Sequence, residues 1–89
     1  MAEPQSKTDK IIFVPSAFKH KLTQADIETA IGTKIYEGSL TGEPDVYAYI
    51  GFDTTANPIE VFYNIIDSET IKVFHAMPLR PEILKQIEP

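Results

Sequence analysis

Val46-Tyr47-Ala48-Tyr49-Ile50-Gly51-Phe52, Ile59-Glu60-Val61-Phe62-Tyr63-Asn64-Ile65-Ile66 and Ile71-Lys72-Val73-Phe74-His75-Ala76-Met77 are three runs of β-branched and aromatic residues that follow one another along the chain. Turn formers bound each run: Gly42 and Pro44 before the first, residues 53–58 after it, Asp67-Ser68-Glu69 after the second, and Pro78 after the third. Apolar runs of this length between such punctuation read as strands. The short connections make them an antiparallel meander over residues 45–77.

Period two sorts their side chains. Val46, Ala48, Ile50 and Phe52 form one row, Ile59, Val61, Tyr63 and Ile65 a second, and Ile71, Val73, His75 and Met77 a third. These rows are expected to pack under a helix. The opposite face carries Tyr47, Tyr49, Glu60, Phe62, Asn64, Lys72 and Phe74. It is too aromatic for a plain solvated surface, so it is either a binding face or a second small core beneath the C-terminal helix.

Working outward, residues 34–39 read as a short additional strand. Thr23-Gln24-Ala25-Asp26 has the form of a capping box, with Leu22 and Ile27 as its staple. Ile27, Ala30 and Ile31 make an apolar stripe and Gly32 is the expected left-handed terminator, which places a helix over residues 24–31. Ile11-Ile12-Phe13-Val14 is a short strand stopped by Pro15, and Ser16 can cap a helical turn over residues 17–20. Pro81 suits the first turn of a C-terminal helix whose Ile83, Leu84 and Ile87 share a face. Residues 1–9 are nearly devoid of apolar side chains and read as a disordered tail. The expected architecture is therefore one α+β domain over residues 10–89. It comprises a small antiparallel sheet, a three- to four-stranded meander plus a short N-terminal strand, with a short helix on one face and a C-terminal helix.

Composition narrows the function. With 89 residues the chain has room for a single core. No run approaches the ~20 apolar residues of a membrane span, and the polar N-terminus lacks a signal core, so a cytoplasmic protein without membrane attachment is expected. Zero cysteines and two histidines without an HExxH pair leave no expected metal site and no expected cofactor. The four isolated glycines form no phosphate-cradling loop. The net charge of −5 argues against a dedicated nucleic-acid binder, yet its distribution is uneven. Residues 7–21 hold four lysines against Asp9, residues 22–71 hold Lys34 against nine acids, and residues 72–89 return to a small positive balance. Each basic flank carries one histidine, so a fold that joins the flanks would create a local positive site.

Lys19-His20-Lys21-Leu22-Thr23, ahead of a short acid-bearing helix, resembles the Lys-His-Gly-(Ile/Val) segment of the BrnT-like toxin family, with Lys21 at the family's glycine. Val73-Phe74-His75-Ala76-Met77-Pro78-Leu79-Arg80 is similar to the end of the sheet in a branch carrying His-Ala-Met-Pro-x-Arg. The similarity spans roughly residues 11–84. It implies a RelE-like fold, a ribonuclease activity and a cognate antitoxin as partner.

Metal-free RNA cleavage needs a base for the 2′-hydroxyl proton, an acid for the leaving 5′-oxygen and a cation for the phosphorane. His20 and His75 are the acid–base candidates, with Glu60 as a substitute base. Lys19, Lys21 and Arg80 are candidate phosphate binders, and Tyr47, Tyr49 and Phe62 could stack RNA bases. Each also has a plainer reading. His75 could be a core-edge histidine bonded to backbone, His20 could pack on the helix start, Arg80 could form a surface ion pair, and Glu60 could pair with Lys72 across strands. The alternative function on the same fold is a non-catalytic protein-interaction or self-associating domain.

Overall fold

Among residues 10–87, which the computed structural model describes, the strand formers and turn residues resolve into β1 (Lys10–Phe13), a 3-10 turn (Pro15–Phe18), α1 (Gln24–Gly32), β2 (Tyr36–Leu40), β3 (Glu43–Phe52), β4 (Pro58–Asp67), β5 (Thr70–Pro78) and α2 (Pro81–Leu84). The tail expected at residues 1–9 lies outside the described residues. The class is α+β. The sheet has five strands in the order β1-β5-β4-β3-β2. It is mixed, not the small antiparallel sheet expected, because β1 adds in parallel to β5, pairing Lys10 with Thr70 and Phe13 with Val73. No helix of the described residues is long and apolar enough to cross a membrane.

The capping box forms as the local chemistry dictates. Asp26 N–H donates to the Thr23 hydroxyl at 3.1 Å, and Thr23 N–H donates to Asp26 Oδ2 at 3.0 Å. The other Asp26 oxygen accepts from the backbone and hydroxyl of Thr54, so one carboxylate fastens α1 to the β3–β4 loop. Gly32 is the last helical residue and not a left-handed terminator. Thr33 closes the helix instead: its hydroxyl donates to Thr29 O at 2.8 Å and accepts from Phe52 N at 3.0 Å. Ser16 does not cap the turn that follows β1; Val14 occupies the cap position.

α1 lays Ile27 and Ala30, both wholly buried, against Val61, Tyr63, Val73 and Tyr49. Full burial of a side chain the size of Ile27 contributes roughly 1.5–3 kcal/mol. On β3 the observed face is the reverse of the expected one. Tyr49 lies opposite Val61 and Tyr47 opposite Tyr63, so the tyrosine row faces the helix. Val46 and Ala48 face away. Gly51 explains the choice. It lies in the helix-facing row, and any Cβ there would overlap the Ala30 carbonyl, so only this row lets α1 approach.

On β5 the expected row is broken by a bulge. Tyr63 pairs with Val73 and Phe62 with His75, leaving Phe74 as the extra residue. Ile71 and Val73 face α1 as expected, whereas His75 and Met77 turn to the other face with Phe62 and Glu60. There α2 covers a second, smaller core of Leu40, Ala48 and Ile83, flanked by Tyr36, Val46, Phe62 and Leu79. The chain beyond α2 is pinned to the β2–β3 turn by Thr41 N–H donating to Gln86 O at 2.8 Å.

Candidate functional site

The β5 bulge aims His75 across the sheet at the ring of Phe62, with ring centroids 4.4 Å apart and planes 24° from parallel. Its Nε2 lies 2.9 Å from Oε2 of Glu60, a β4 residue with no exposed surface. Where β5 ends, Pro78 and Pro81 bracket an extended turn, and Leu79 N–H donates to Pro58 O at 3.1 Å. Arg80 then sits as the N-cap of α2, with φ −99° and ψ 139°. From there its backbone N–H reaches Glu60 Oε1 at 3.0 Å, while Nε and Nη2 reach Oε2 at 2.9 and 2.5 Å. The guanidinium stays about one-third exposed, at 35%, and the His75 side chain is 20% exposed.

Burial alone would push the Glu60 carboxyl up. The hydrogen bonds from His75 and from the Arg80 side chain and backbone, with the Arg80 charge, more than offset it and hold the group below the usual carboxylate range. The bond to Glu60 raises Arg80 in turn. Glu60 is therefore an ionised acceptor with four donors on its two oxygens. Three of those donors converge on Oε2 and one on Oε1, so the geometry is that of a clamp on His75 and Arg80. Glu60 positions His75 and Arg80. Because an ionised carboxylate only accepts, His75 Nε2 is the donor to Glu60, which leaves Nδ1 as the ring nitrogen not engaged by the carboxylate. The plainer alternative, a cross-strand pair with Lys72, does not form: Lys72 lies opposite Asn64 and Glu60 opposite Met77.

His20 arrives from the N-terminal flank. The 3-10 turn is held on β5 by Val14 N–H donating to Val73 O at 3.2 Å and by Ser16 Oγ donating to Phe74 O at 2.6 Å. The carbonyl that the bulge withdraws from the ladder is thus the one that anchors the turn. Beyond it the exposed His20 ring stands edge-on to His75, with centroids 5.6 Å apart and planes at 71°. Lys19 and Lys21 flank it, both exposed. Lys21 holds a left-handed backbone, φ +70°. Histidines 55 positions apart in sequence, Glu60 and Arg80 therefore meet at one place.

The proposed base-stacking set does not assemble. Tyr47 and Tyr49 lie under α1, stacked on Tyr63 at 5.8 and 4.5 Å, and Tyr49 is only 2% exposed. Phe62 stands on the opposite face beside His75. Phe74, which was expected only as part of a mixed face, meets Phe62 edge-on with centroids 6.5 Å apart. Both Phe62 and Phe74 line a cavity of about 240 Å³ together with Leu40, Val46, Ile83 and Arg80, and Glu43, Glu82 and Gln86 supply its polar groups. Sequence reading missed Glu43, Glu82 and Gln86, which become neighbours only when α2 folds back over the β2–β3 turn.

Comparison with known proteins returns no match for this chain among family models, curated proteins or solved structures.

Proposed function

We propose that this chain is a toxin-type, metal-independent endoribonuclease with a RelE-like fold, held in check by a cognate antitoxin. The observation that carries the reading is that His75 and Arg80 meet on the buried Glu60 carboxylate while the His20 ring stands against His75. Two imidazoles and a guanidinium are the groups that metal-free cleavage requires. Lys21 adds support. It stands where the resembled family carries glycine, and its φ of +70° is the backbone region that glycine favours.

In this reading His75 Nδ1 takes the proton of the 2′-hydroxyl, and the 2′-oxygen attacks phosphorus. His20, protonated, gives its proton to the departing 5′-oxygen. The products are a 2′,3′-cyclic phosphate and a 5′-hydroxyl, which conserves every atom and proton. Arg80, anchored by Glu60, directs its remaining N–H groups at the phosphorane oxygens. Lys19 and Lys21 hold flanking phosphates.

The test is expression of the chain alone, with growth and RNA integrity followed. Cleavage should persist in excess chelator and leave 2′,3′-cyclic phosphate ends. His20→Ala and His75→Ala should each lower the rate by ~100-fold or more with unchanged circular dichroism. A folded wild-type chain that neither arrests growth nor cuts RNA refutes the proposal.

A further inference from the structure

The cavity beside the His75–Glu60–Arg80 cluster is unassigned by this chemistry, and its walls belong partly to the cluster. Phe62 carries the His75 ring on one side and lines the cavity as well. Arg80 likewise bonds Glu60 and lines the cavity. A nucleotide whose phosphate lies between His20, His75 and Arg80 therefore has its base within reach of this space. At about 240 Å³ the cavity falls short of the ~300–1,000 Å³ of drug-sized sites, which suits one planar ring system rather than a dinucleotide.

The lining chemistry is specific. Phe62, Phe74 and the planar Arg80 guanidinium are surfaces on which a base can stack. The polar groups are two carboxylates, Glu43 and Glu82, and the Gln86 amide. Carboxylates next to a phosphate-binding site weaken phosphate affinity, so their useful role there is to accept hydrogen bonds from a base edge. Guanine offers parallel N1–H and N2–H donors, which a carboxylate accepts in the same two-pronged way that it accepts a guanidinium. Adenine N1 and the uracil carbonyls would set lone pair against lone pair, and cytosine presents a single donor group beside an acceptor.

We infer that this cavity is a guanine subsite adjoining the cleavage site, with Phe62 and Phe74 as stacking walls and Glu43 and Glu82 as the readers of the base. The inference rests on the ribonuclease reading for its biological role and on the cavity alone for guanine binding.

The experiment follows the methyl resonances of Leu40, Val46 and Ile83 during titration with guanosine, adenosine, cytidine and uridine, and with the corresponding 3′-monophosphates. In parallel, cleavage sites are mapped on a mixed-sequence RNA. Guanosine should bind at least ~10-fold more tightly than the other nucleosides, as one well-made two-pronged base contact allows. The exposed Glu43→Gln and Glu82→Gln pair, checked for an unchanged melting temperature, should erase that preference and the preference for guanine at the cut. Guanosine binding without any RNA cleavage would support the subsite and refute the nuclease reading. Cleavage indifferent to base, or a preference untouched by the double variant, would overturn the subsite and leave the nuclease standing. Methyl shifts caused by an arginine-rich peptide with an apolar anchor, and by no nucleoside, would overturn it in favour of a protein partner.

Discussion

Arg80 grips Glu60 with its main chain and its side chain together: the backbone N–H takes Oε1 at 3.0 Å while Nε takes Oε2 at 2.9 Å. The two contacts make the start of α2 part of the same fastening that orients the guanidinium. Truncating Arg80 would leave a carboxylate with no exposed surface held by His75 and one backbone N–H. Arg80→Met should therefore destabilise the fold by about 3 kcal/mol in urea titration. Arg80→Lys, which keeps the charge and loses the fork, should cost clearly less. Equal losses in the two variants would show that the fork, not the charge, supports Glu60.

Gly51 of β3 and Gly32 at the end of α1 should respond in opposite ways. Gly51→Ala forces a methyl into the Ala30 carbonyl and should cost about 1–3 kcal/mol or more, because backbone must move. Gly32→Ala meets open space at the last helical residue and should stabilise by roughly 0.5–1 kcal/mol. Thermal melts of both single variants check the pair.

Lys21 occupies a conformation that side chains resist, at φ +70°. Lys21→Gly should raise stability by about 1 kcal/mol. If cleavage is present, the same variant should separate backbone relief from loss of a phosphate contact. The melting temperature should rise while RNA affinity falls more steeply at low salt than at high.

Acid should unfasten α1. The Thr23 backbone N–H, then the Thr54 hydroxyl and N–H, hold the Asp26 carboxyl well below its ordinary range against a smaller opposing effect of burial. A carboxyl depressed in the folded state contributes stability that is fully present above its unfolded pKa of about 3.9 and is lost as pH falls through the folded value. Stability should accordingly hold at neutral pH and decline below about pH 4, with the Glu60 carboxyl, also depressed, adding to the same limb. Asp26→Asn should flatten the acid limb and lower stability at pH 7. An acid limb identical to wild type would place the titrating groups elsewhere.

The legible parts of the fold were those settled by neighbours in the chain. Thr23 and Asp26 reach each other across three positions, so their capping box can be read directly, and Pro81 marks the start of α2 for a similarly local reason. The β3 face is not legible from apolarity, because Tyr47 and Tyr49 are as suited to a core as Val46 and Ala48. The readable mark was Gly51, a strand glycine of the kind that admits another backbone. On β5 the helix-facing residues run Ile71, Val73, Ala76, and the step of three between the last two is the trace of the bulge. His20, His75, Glu60 and Arg80 could be nominated by chemistry, but the role of Glu60 could not. Whether a carboxylate is a base or a clamp depends on how many donors surround it, and those come from β5 and α2. Ser16 gave no sign that its hydroxyl would reach a carbonyl 58 positions away.

A regular strand gives each face one side chain in every two residues, spaced roughly 6.5–7 Å apart. The bulge sets Phe74 and His75, adjacent in the chain, against the same ring of Phe62. One of the pair belongs to the His75–Glu60–Arg80 cluster and the other to the cavity wall, and the bulged backbone holds them in fixed relation. Their spacing is thus independent of what either side chain is. Exchanging Phe74 for a smaller or more polar residue would redraw the cavity wall while His75 kept its seat on Glu60. Cavity wall and charged cluster, though next-door neighbours, are thereby open to separate change.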